Sequence, residues 1–249
     1  MTYFIFIAAG KGSRMGELTA DQNKATLEVQ NRSLILRQID CSADKGSISV
    51  ITGFRAGKLF KHVSPHYLSP CFHHNKQWRL NFGNVHAMLK ADRYIMKGHD
   101  IIICYTDILY KKEVMDQLYS SKDPVVMPVF TGWKKQQEQL PGKSLENFEA
   151  ITVGEDGLIQ KITTNPDSSV KIDGQFMHMI KITWPAWIDM HEMLRDIDKK
   201  EIEQMDITTL INHMINYQIV TKPIYFDDGW FEIDTPEELE YANSNFKDN

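Results

Sequence analysis

A glycine-rich turn near the start of the sequence carries two cationic side chains that could bind phosphate. The run from Ala8 to Gly16 follows an apolar segment and contains Arg14, and Lys24 comes eight residues after its last glycine. Glycines let the backbone approach a polyphosphate closely, while free N–H groups and an arginine meet its charge. A glycine turn can also serve geometry alone, but the two cations favour a phosphate-binding turn.

The spacing of this turn excludes two well-known nucleotide-binding motifs. Its pattern is G-x-G-x-x-x-G, and no acidic residue ends the next predicted strand about twenty residues on, as a dinucleotide-binding fingerprint requires. The Gly-Lys-Ser/Thr ending of a P-loop is also missing. The sequence therefore disfavours a dinucleotide-dependent dehydrogenase and a P-loop kinase.

The segments that must position this turn alternate between strands and helices. Continuous apolar runs predict buried strands, and helical spacing predicts helices between them. The predicted strands are residues 3–9, 48–52 and 100–104, and the predicted helices are residues 34–43 and 85–94. We therefore expect an α/β fold with a mostly parallel, Rossmann-like central sheet flanked by helices. Ligands gather at the carboxyl ends of such strands, where Gly10 and Asp107 both fall.

The second half of the sequence predicts an additional small β region. Its predicted elements are strands at residues 125–127, 150–153, 158–162 and 176–182 and helices at residues 187–194 and 207–217. The polar stretch at residues 132–147 is interpreted as a mobile loop or lid. A charged, solvated loop without a catalytic part is the alternative for that stretch.

The overall charge and the cysteine content indicate which partners and which cellular compartment to expect for this protein. The 249 residues carry a formal net charge of −5, which gives no general attraction to nucleic acid or to an anionic membrane surface. No stretch approaches the ~20 apolar residues of a membrane span. Cys41, Cys71 and Cys104 form neither a disulfide framework nor a zinc pattern, so we expect a soluble, cytoplasmic protein.

Four ordered motifs resemble those of the nucleotidyltransferases that include sugar-1-phosphate nucleotidylyltransferases and phosphocholine cytidylyltransferase. Residues 8–24 resemble the signature loop of that superfamily, and residues 83–87 resemble its glycine-started helix beside the base. Thr106-Asp107 resembles its metal aspartate at a strand end, and residues 230–236 resemble its carboxyl-terminal metal segment. The resemblance extends through most of the chain, and four motifs in order are much more specific than one.

The resemblance implies a role for individual residues and divides a single domain, residues 1–249, into two halves. Residues 1–124 would bind the NTP, and residues 125–249 would bind the acceptor and supply the second metal ligand. Arg14, Lys24 and Asp107 would be catalytic, with Asp107 and Asp234 holding Mg²⁺ between the two phosphates. The implied nucleotide-binding residues are Ala8, Ala9, Gly10, Gly12, Ser13, Arg14, Lys24, Gly83, Asn84 and Asp107.

Glu232 is a further candidate metal ligand. It lies one strand period before Asp234, so both carboxylates are expected on the same side, and Mg²⁺ prefers oxygen ligands. No general base is expected, because an acceptor phosphate is already ionised at neutral pH and needs only positioning and charge neutralisation.

Two features favour a small acceptor over a sugar. The sugar-1-phosphate branch has an Ile-x-x-Ile-x-Glu-Lys-Pro run, in which Thr164 and Asn165 here replace the Glu-Lys pair. The Glu-Ile-Asp near the carboxyl end, with Trp184 and Met205-Asp206, is similar to the phosphocholine cytidylyltransferase branch. Aromatic residues could surround a quaternary ammonium, although core packing is the alternative for each tryptophan. The candidate acceptor contacts are Tyr105, Trp133 and Trp230, with Trp184 and Trp187 also available.

The other residues with potential for chemistry receive an ordinary interpretation. His73, His74 and His86 lack the spacing of a zinc site, and His86 is at most a contact to ribose or base. Asp227 and Asp228 precede a glycine and are interpreted as a turn.

The leading hypothesis is a cytidylyltransferase that couples CTP to a phosphocholine-like acceptor, a phosphonate or a phospho-amino-acid derivative, with a product that could feed a cell-surface polysaccharide. A sugar-1-phosphate nucleotidylyltransferase is the first alternative. A regulatory homologue that binds NTP without turnover is the second, but it should lack one of Arg14, Lys24, Asp107 or Asp234, and all four are present. A homo-oligomer is compatible with each of these hypotheses.

Overall fold

The computed structural model describes residues 1–67, 69–80, 82–140 and 147–247. The strands are β1 (Thr2–Ala8), β2 (Glu28–Val29), β3 (Arg32–Ser33), β4 (Gly46–Thr52), β5 (Cys71–His74), β6 (Asp100–Tyr105), β7 (Ile108–Tyr110), β8 (Val125–Phe130), β9 (Glu149–Val153), β10 (Ile159–Thr164), β11 (Gly174–Phe176), β12 (Met179–Ile182), β13 (Thr221–Phe226) and β14 (Trp230–Glu232). The helices are α1 (Leu34–Asp40), α2 (Ala56–Val63), α3 (Asn84–Met88), α4 (Lys112–Ser120), α5 (Trp133–Gln139), α6 (Trp184–Leu194), α7 (Lys199–Gln204), α8 (Ile207–Asn216) and α9 (Pro236–Asn245).

One large mixed sheet organises the fold. Among the described residues its ten strands follow the order β10-β9-β11-β8-β12-β6-β1-β4-β5, and β13 pairs with β8. The central strand β1 runs parallel to both β4 and β6, whereas β12 is antiparallel to β6. The predicted α/β fold with a mostly parallel centre is therefore confirmed. Strands β8 to β13 of the second half extend this sheet, whereas β14 pairs with β7 in a small sheet of their own.

Burial on both faces of the sheet explains why its central strands are continuously apolar. Along β1, Phe4 and Phe6 pack into the cluster that includes residues of α1, α2 and α4. Tyr3 and Ile5 point the other way, into the cluster that includes residues of α3, α6 and α8. Burying each such side chain contributes about 1.5–3 kcal/mol, so an alternating polar pattern is not tolerated in β1.

Parallel pairing of β1 with β6 brings two of the sequence motifs to the same edge of the sheet. Residues 2–7 of β1 pair in register with residues 100–105 of β6. The glycine-rich turn follows β1, and Asp107 follows β6 by two residues. Their proximity therefore follows from the topology of the sheet.

Three predicted segments differ from the observed elements. The helix predicted at residues 85–94 is shorter, because α3 ends at Met88 and a 3₁₀ turn covers Asp92–Tyr94. The strand predicted at residues 176–182 divides into β11 and β12, because His178 has a left-handed backbone with φ of 58°. The predicted lid at residues 132–147 begins with helix α5, whereas its residues 141–146 lie outside the described residues.

No helix within the described ranges is both long and apolar enough to cross a membrane.

Candidate active site

The glycine-rich turn leaves room for a ligand and for the stem of Lys24. Gly12 has a left-handed φ of 64°, and a Cβ at this position would stand 3.0 Å from the Cβ of Lys24. At Gly10, by contrast, an added Cβ would have no atom within 4 Å. Gly10 therefore faces open space, where a phosphate could approach the backbone.

Asn23 fixes the position from which Lys24 extends. Its side-chain amide donates to the backbone oxygens of Ala8 and Phe54, each at 2.9 Å, and its Oδ1 accepts from the N–H of Ala25 at 3.0 Å. Asn23 is only 1% exposed, so this amide ties the end of β1 to the short 3₁₀ turn that begins at Lys24. Its role was not predicted, because a single buried amide carries no periodic signal.

A similar buried amide holds the turn that presents Asp107. Gln38 on α1 donates to the backbone oxygens of Tyr105 at 3.1 Å and Ile108 at 2.9 Å, one on each side of Asp107. The hydroxyl of Thr106 donates to the backbone oxygen of Ile7 at 3.0 Å. The Asp107 turn is thereby attached both to α1 and to β1.

Asp234 comes from the far end of the chain but is held beside the same turn. The N–H of Ile233 donates to the backbone oxygen of Asp107 at 2.9 Å. Asp234 itself donates its N–H to Glu238 at 2.7 Å, and Thr235 and Glu238 form a capping box at the start of α9. The carboxylate of Asp234 is therefore positioned by a helix start that the sequence pattern Thr-Pro-Glu-Glu encodes.

The four predicted charged residues meet in one cluster. The Nζ of Lys24 lies 3.0 Å from Oδ2 of Asp107 and 2.5 Å from Oδ1 of Asp234. A guanidinium nitrogen of Arg14 lies 2.8 Å from the other oxygen of Asp234. The Arg14 side chain is 55% exposed and that of Lys24 is 10% exposed, so Arg14 is the cation more open to an incoming anion.

The charges in this cluster stabilise one another. Burial lowers the pKa of Lys24, but the carboxylates of Asp107 and Asp234 outweigh burial and raise the pKa above its ordinary value. Burial raises the pKa of Asp107, but the charges of Lys24 and His178 hold the pKa below its ordinary value. Lys24 is therefore a cation and Asp107 an anion at neutral pH.

These groups line a pocket of about 340 Å³, a size within the range of small-molecule sites. Its lining residues are Ile7, Ala8, Gly10, Gly12, Ser13, Arg14, Asn23, Lys24, Thr106, Asp107 and Asp234. Most of the turn residues predicted to bind the nucleotide are thus brought together. The exception is Ala9, which is buried and accepts a hydrogen bond from the N–H of Phe54 at 3.0 Å.

The donor set of this pocket fits a divalent cation. Oδ1 of Asp107 is buried without a hydrogen-bond partner, and carboxylate oxygens are ligands that Mg²⁺ accepts. Within the described part of the chain, no group of three or more His, Cys, Asp or Glu side chains is arranged to hold a metal ion. Phosphates and water would have to complete the shell around Asp107 and Asp234.

The predicted third ligand, Glu232, contacts a different partner. Its Oε1 lies 3.7 Å from Nδ1 of His178, and its Oε2 accepts from the side-chain amide of Gln175 at 3.4 Å. His178 also contacts Glu149 at 2.7 Å. Sequence reasoning missed His178 and Glu149, although a histidine within an apolar run was a usable signal.

Asn84 at the start of α3 contacts Tyr105, and Gly83 packs against the connection between α7 and α8. A Cβ at Gly83 would stand 1.9 Å from the backbone oxygen of Met205, so the α7–α8 connection requires glycine here. The side-chain amide of Asn84 donates to the hydroxyl of Tyr105 at 2.8 Å. Gly83 and Asn84 do not line the pocket described above, and their contact to the nucleotide stays a prediction.

The predicted acceptor contacts lie in different surroundings. Tyr105 is half-buried, with its ring 5.1 Å from that of His178. Trp230 is fully buried, and its ring packs 5.3 Å from that of Phe130. Trp133 packs 5.0 Å from Phe148 at the start of α5. Trp230 thus belongs to the core in this conformation, and the acceptor roles of all three stay predictions.

The remaining tryptophans and histidines lie outside the charged cluster. Trp184 and Trp187 line a separate cavity of about 510 Å³. His73 contacts the hydroxyl of Ser49 at 2.8 Å, and His86 contacts the side chain of Gln77 at 2.8 Å. Of the two acidic residues interpreted as a turn, Asp228 accepts from Lys111 at 2.9 Å.

The chain is similar in sequence to one characterised transferase and in fold to several solved structures. No protein-family model matches the chain. A CTP:phosphoglutamine cytidylyltransferase from Campylobacter jejuni subsp. jejuni is 28% identical over 248 residues, which cover 95% of this chain and 97% of that protein.

Two solved structures share the fold over nearly the whole length. The inositol-1-phosphate CTP transferase from T. maritima has a TM-score of 0.74 at 15% identity, covering 98% of this chain and 97% of that one. The CTP:phosphocholine cytidylyltransferase from Streptococcus pneumoniae has a TM-score of 0.69 at 17% identity, with coverage of 98% and 99%. The chain thus has the fold of the nucleotidyltransferase superfamily that its four motifs resemble.

Proposed function

We propose that this protein is a nucleotidyltransferase that joins the cytidylyl group of CTP to the phosphate of a small acceptor and releases pyrophosphate. The observation that carries this proposal is the cluster in which Lys24 bridges Asp107 and Asp234 next to the glycine-rich turn, with Arg14 on Asp234. The preference for CTP is supported by the similarity to a CTP:phosphoglutamine cytidylyltransferase.

The main obstacle to this reaction is the repulsion between two anions. An oxygen of the acceptor phosphate forms a bond to the α-phosphorus of CTP, the bond from that phosphorus to the bridging oxygen breaks, and pyrophosphate leaves with the electron pair. The attacking oxygen is already ionised, so no side chain needs to remove a proton. Arg14 and Lys24 supply positive charge where the triphosphate would lie, and a preorganised charge of this kind costs no rearrangement during the reaction.

Asp107 and Asp234 would hold Mg²⁺, which when bound would neutralise charge between the two phosphates. Arg14 and Lys24 already contact Asp234 in the free protein, so the phosphates of a nucleotide would compete with this carboxylate for the two cations. The buried amides of Asn23 and Gln38 keep Lys24 and Asp107 in place during that exchange. The site is therefore positioned before the substrate arrives.

Residues near the end of β10 support a non-sugar acceptor. We propose a phosphocholine-like compound, a phosphonate or a phospho-amino-acid derivative, because Thr164 and Asn165 stand where a sugar-binding branch has Glu and Lys. Thr164 pairs with Glu149 across β9 and β10, and Oδ1 of Asn165 accepts from the N–H of Asn147 at 2.5 Å. Asn165 is thus engaged with the backbone and carries no charge for a sugar phosphate. A cytoplasmic location and a homo-oligomeric state remain predictions.

Pyrophosphate release tests this proposal. Four NTPs would be combined in turn with phosphocholine, a phosphorylated glutamine derivative and sugar 1-phosphates, with and without Mg²⁺. We expect turnover with CTP and a non-sugar acceptor that depends on Mg²⁺. Turnover restricted to sugar 1-phosphates would overturn the acceptor class, and no turnover with any pair would overturn the proposed activity.

A further inference from the structure

A second buried charged cluster adjoins Asp107 and is centred on His178. Nε2 of His178 lies 2.7 Å from Oε2 of Glu149, and Nδ1 lies 3.7 Å from Oε1 of Glu232. Glu149 also accepts a hydrogen bond from the hydroxyl of Thr208, and Glu232 accepts one from Gln175. The cluster therefore joins β9, β11, β14 and α8 through one imidazole ring.

The backbone of His178 is held in an unfavourable conformation. Its φ of 58° lies in the left-handed region, which costs energy for a residue with a Cβ and persists only where the surroundings fix it. Its backbone oxygen accepts from the N–H of Tyr105 at 3.1 Å. Its ring lies 5.3 Å from that of Phe176 and 6.2 Å from that of Trp230. Such local strain is often found at functional sites.

Acidic side chains face both nitrogens of the ring. Glu149 lies against Nε2 and Glu232 against Nδ1, and the charge of Asp107 also acts on the imidazole. Glu232 is tied to the Asp107 turn through the backbone, because it pairs with Ile108, the residue after Asp107, and the N–H of the next residue, Ile233, donates to the backbone oxygen of Asp107 at 2.9 Å.

We propose that His178 is a positioning residue of the transfer reaction, which holds Glu149 with one ring nitrogen and faces Glu232 with the other, and so fixes the position of the Glu232 carboxylate on β14, the strand that pairs with β7 directly after Asp107. This inference rests on the proposed function, because Asp107 marks the place where nucleotide and acceptor phosphates would meet. His178 acts through Glu232 and does not touch the CTP pocket lined by Arg14 and Lys24. Its loss should therefore impair the acceptor step more than CTP binding.

The variant His178→Asn tests this role. Asparagine also adopts the left-handed backbone readily, so the substitution removes the contacts of the imidazole with Glu149 and Glu232 without adding backbone strain. We expect kcat/KM for the acceptor to fall at least ~10-fold, as is usual when a group that orients a ligand is lost. The Kd for CTP measured by calorimetry should change less than about twofold, because Arg14 and Lys24 remain.

Two further variants separate positioning from general stability. Glu149→Gln leaves His178 in place but removes the charge that faces its Nε2. This variant should also lower kcat/KM for the acceptor. His73→Gln is the matched control, because His73 lies in the same sheet but contacts Ser49 and the ring of Tyr94 instead of the His178 cluster, so the substitution should leave both parameters unchanged.

The outcomes are distinct. The inference is overturned if His178→Asn keeps the acceptor kcat/KM of the wild type, or if CTP affinity falls as much as the acceptor step does. If the wild type itself released no pyrophosphate, the proposed function would fail. A crystal structure of His178→Asn would then still test the positioning role, since the Glu232 carboxylate should shift from its wild-type position, and an unmoved Glu232 would refute the role of His178.

Discussion

Lys24 joins the two carboxylates of the site. It crosses from the glycine-rich turn to Asp107 and Asp234, which lie 83 and 210 residues away in the sequence. The residue types and the glycine spacing allowed Arg14 and Lys24 to be predicted. The same reasoning could not predict the roles of three other residues, namely Asn23, Gln38 and His178. Their partners lie far away along the chain, and such contacts leave no periodic pattern in the sequence.

Replacing Lys24 with Met should therefore damage both activity and stability. The two aspartates would lose the cation between them, and breaking a buried pair by removing one partner costs about 3 kcal/mol. We expect kcat/KM for CTP to fall by ~100-fold or more, since a preorganised charge at the phosphates is lost. Lys112→Met is the control, because Lys112 forms an exposed pair with Asp116 on α4. Equal kinetics in the two variants would contradict the role of Lys24.

The His178 cluster predicts how stability depends on pH. The pKa of His178 is raised from 6.5 to about 9 by Glu232, Glu149 and Asp107 despite its burial, so its contribution to stability is fully present below pH 6.5 and is lost as the pH rises through about 9. Melting temperature measured from pH 6 to pH 9.5 should fall across this window. His178→Asn should melt lower at pH 6 and show a flatter profile. A wild-type profile as flat as that of the variant would contradict this charge assignment.

At the scale of the elements, the strength of the hydrophobic pattern determined which strands and helices could be predicted from the sequence. The buried strands β1, β4 and β6 were evident as apolar runs because both of their faces are covered. The prediction missed α2 and α4, because these helices have only 8 and 9 residues and bury only two and three hydrophobic side chains, too few to show a clear helical spacing. It also extended one strand through residues 176–182, because apolarity alone does not reveal that His178 adopts a left-handed backbone.

Two glycines at helices predict opposite effects on stability. Gly83→Ala would place a Cβ 1.9 Å from the backbone oxygen of Met205, so we expect a loss of about 1–3 kcal/mol from overpacking. Gly57 lies in α2 with no atom within 4 Å of an added Cβ, and Gly57→Ala should stabilise the protein by about 0.4–1 kcal/mol. Chemical denaturation measures both. A stable Gly83→Ala protein would show that the α7–α8 connection can move aside.

At the scale of the whole molecule, the topology explains why residues from both ends of the chain meet. The parallel pairing of β1 with β6 places two turns at one edge of the sheet, and the pairing of β14 with β7 brings Asp234 to the same place. The sequence predicted the first of these relations from strand order. The second followed only from resemblance to a known family, because an antiparallel pair of three-residue strands leaves almost no signal in sequence.

The most direct test of this account is the rate of CTP-dependent pyrophosphate release by Asp107→Asn and Asp234→Asn, compared with the wild type at saturating acceptor and Mg²⁺. Each substitution keeps the shape of the side chain but removes the charge that faces Lys24 and would hold the metal. We predict that each variant remains folded and loses activity by ~100-fold or more. A wild-type rate in either variant would contradict the claim that these two carboxylates form the catalytic centre.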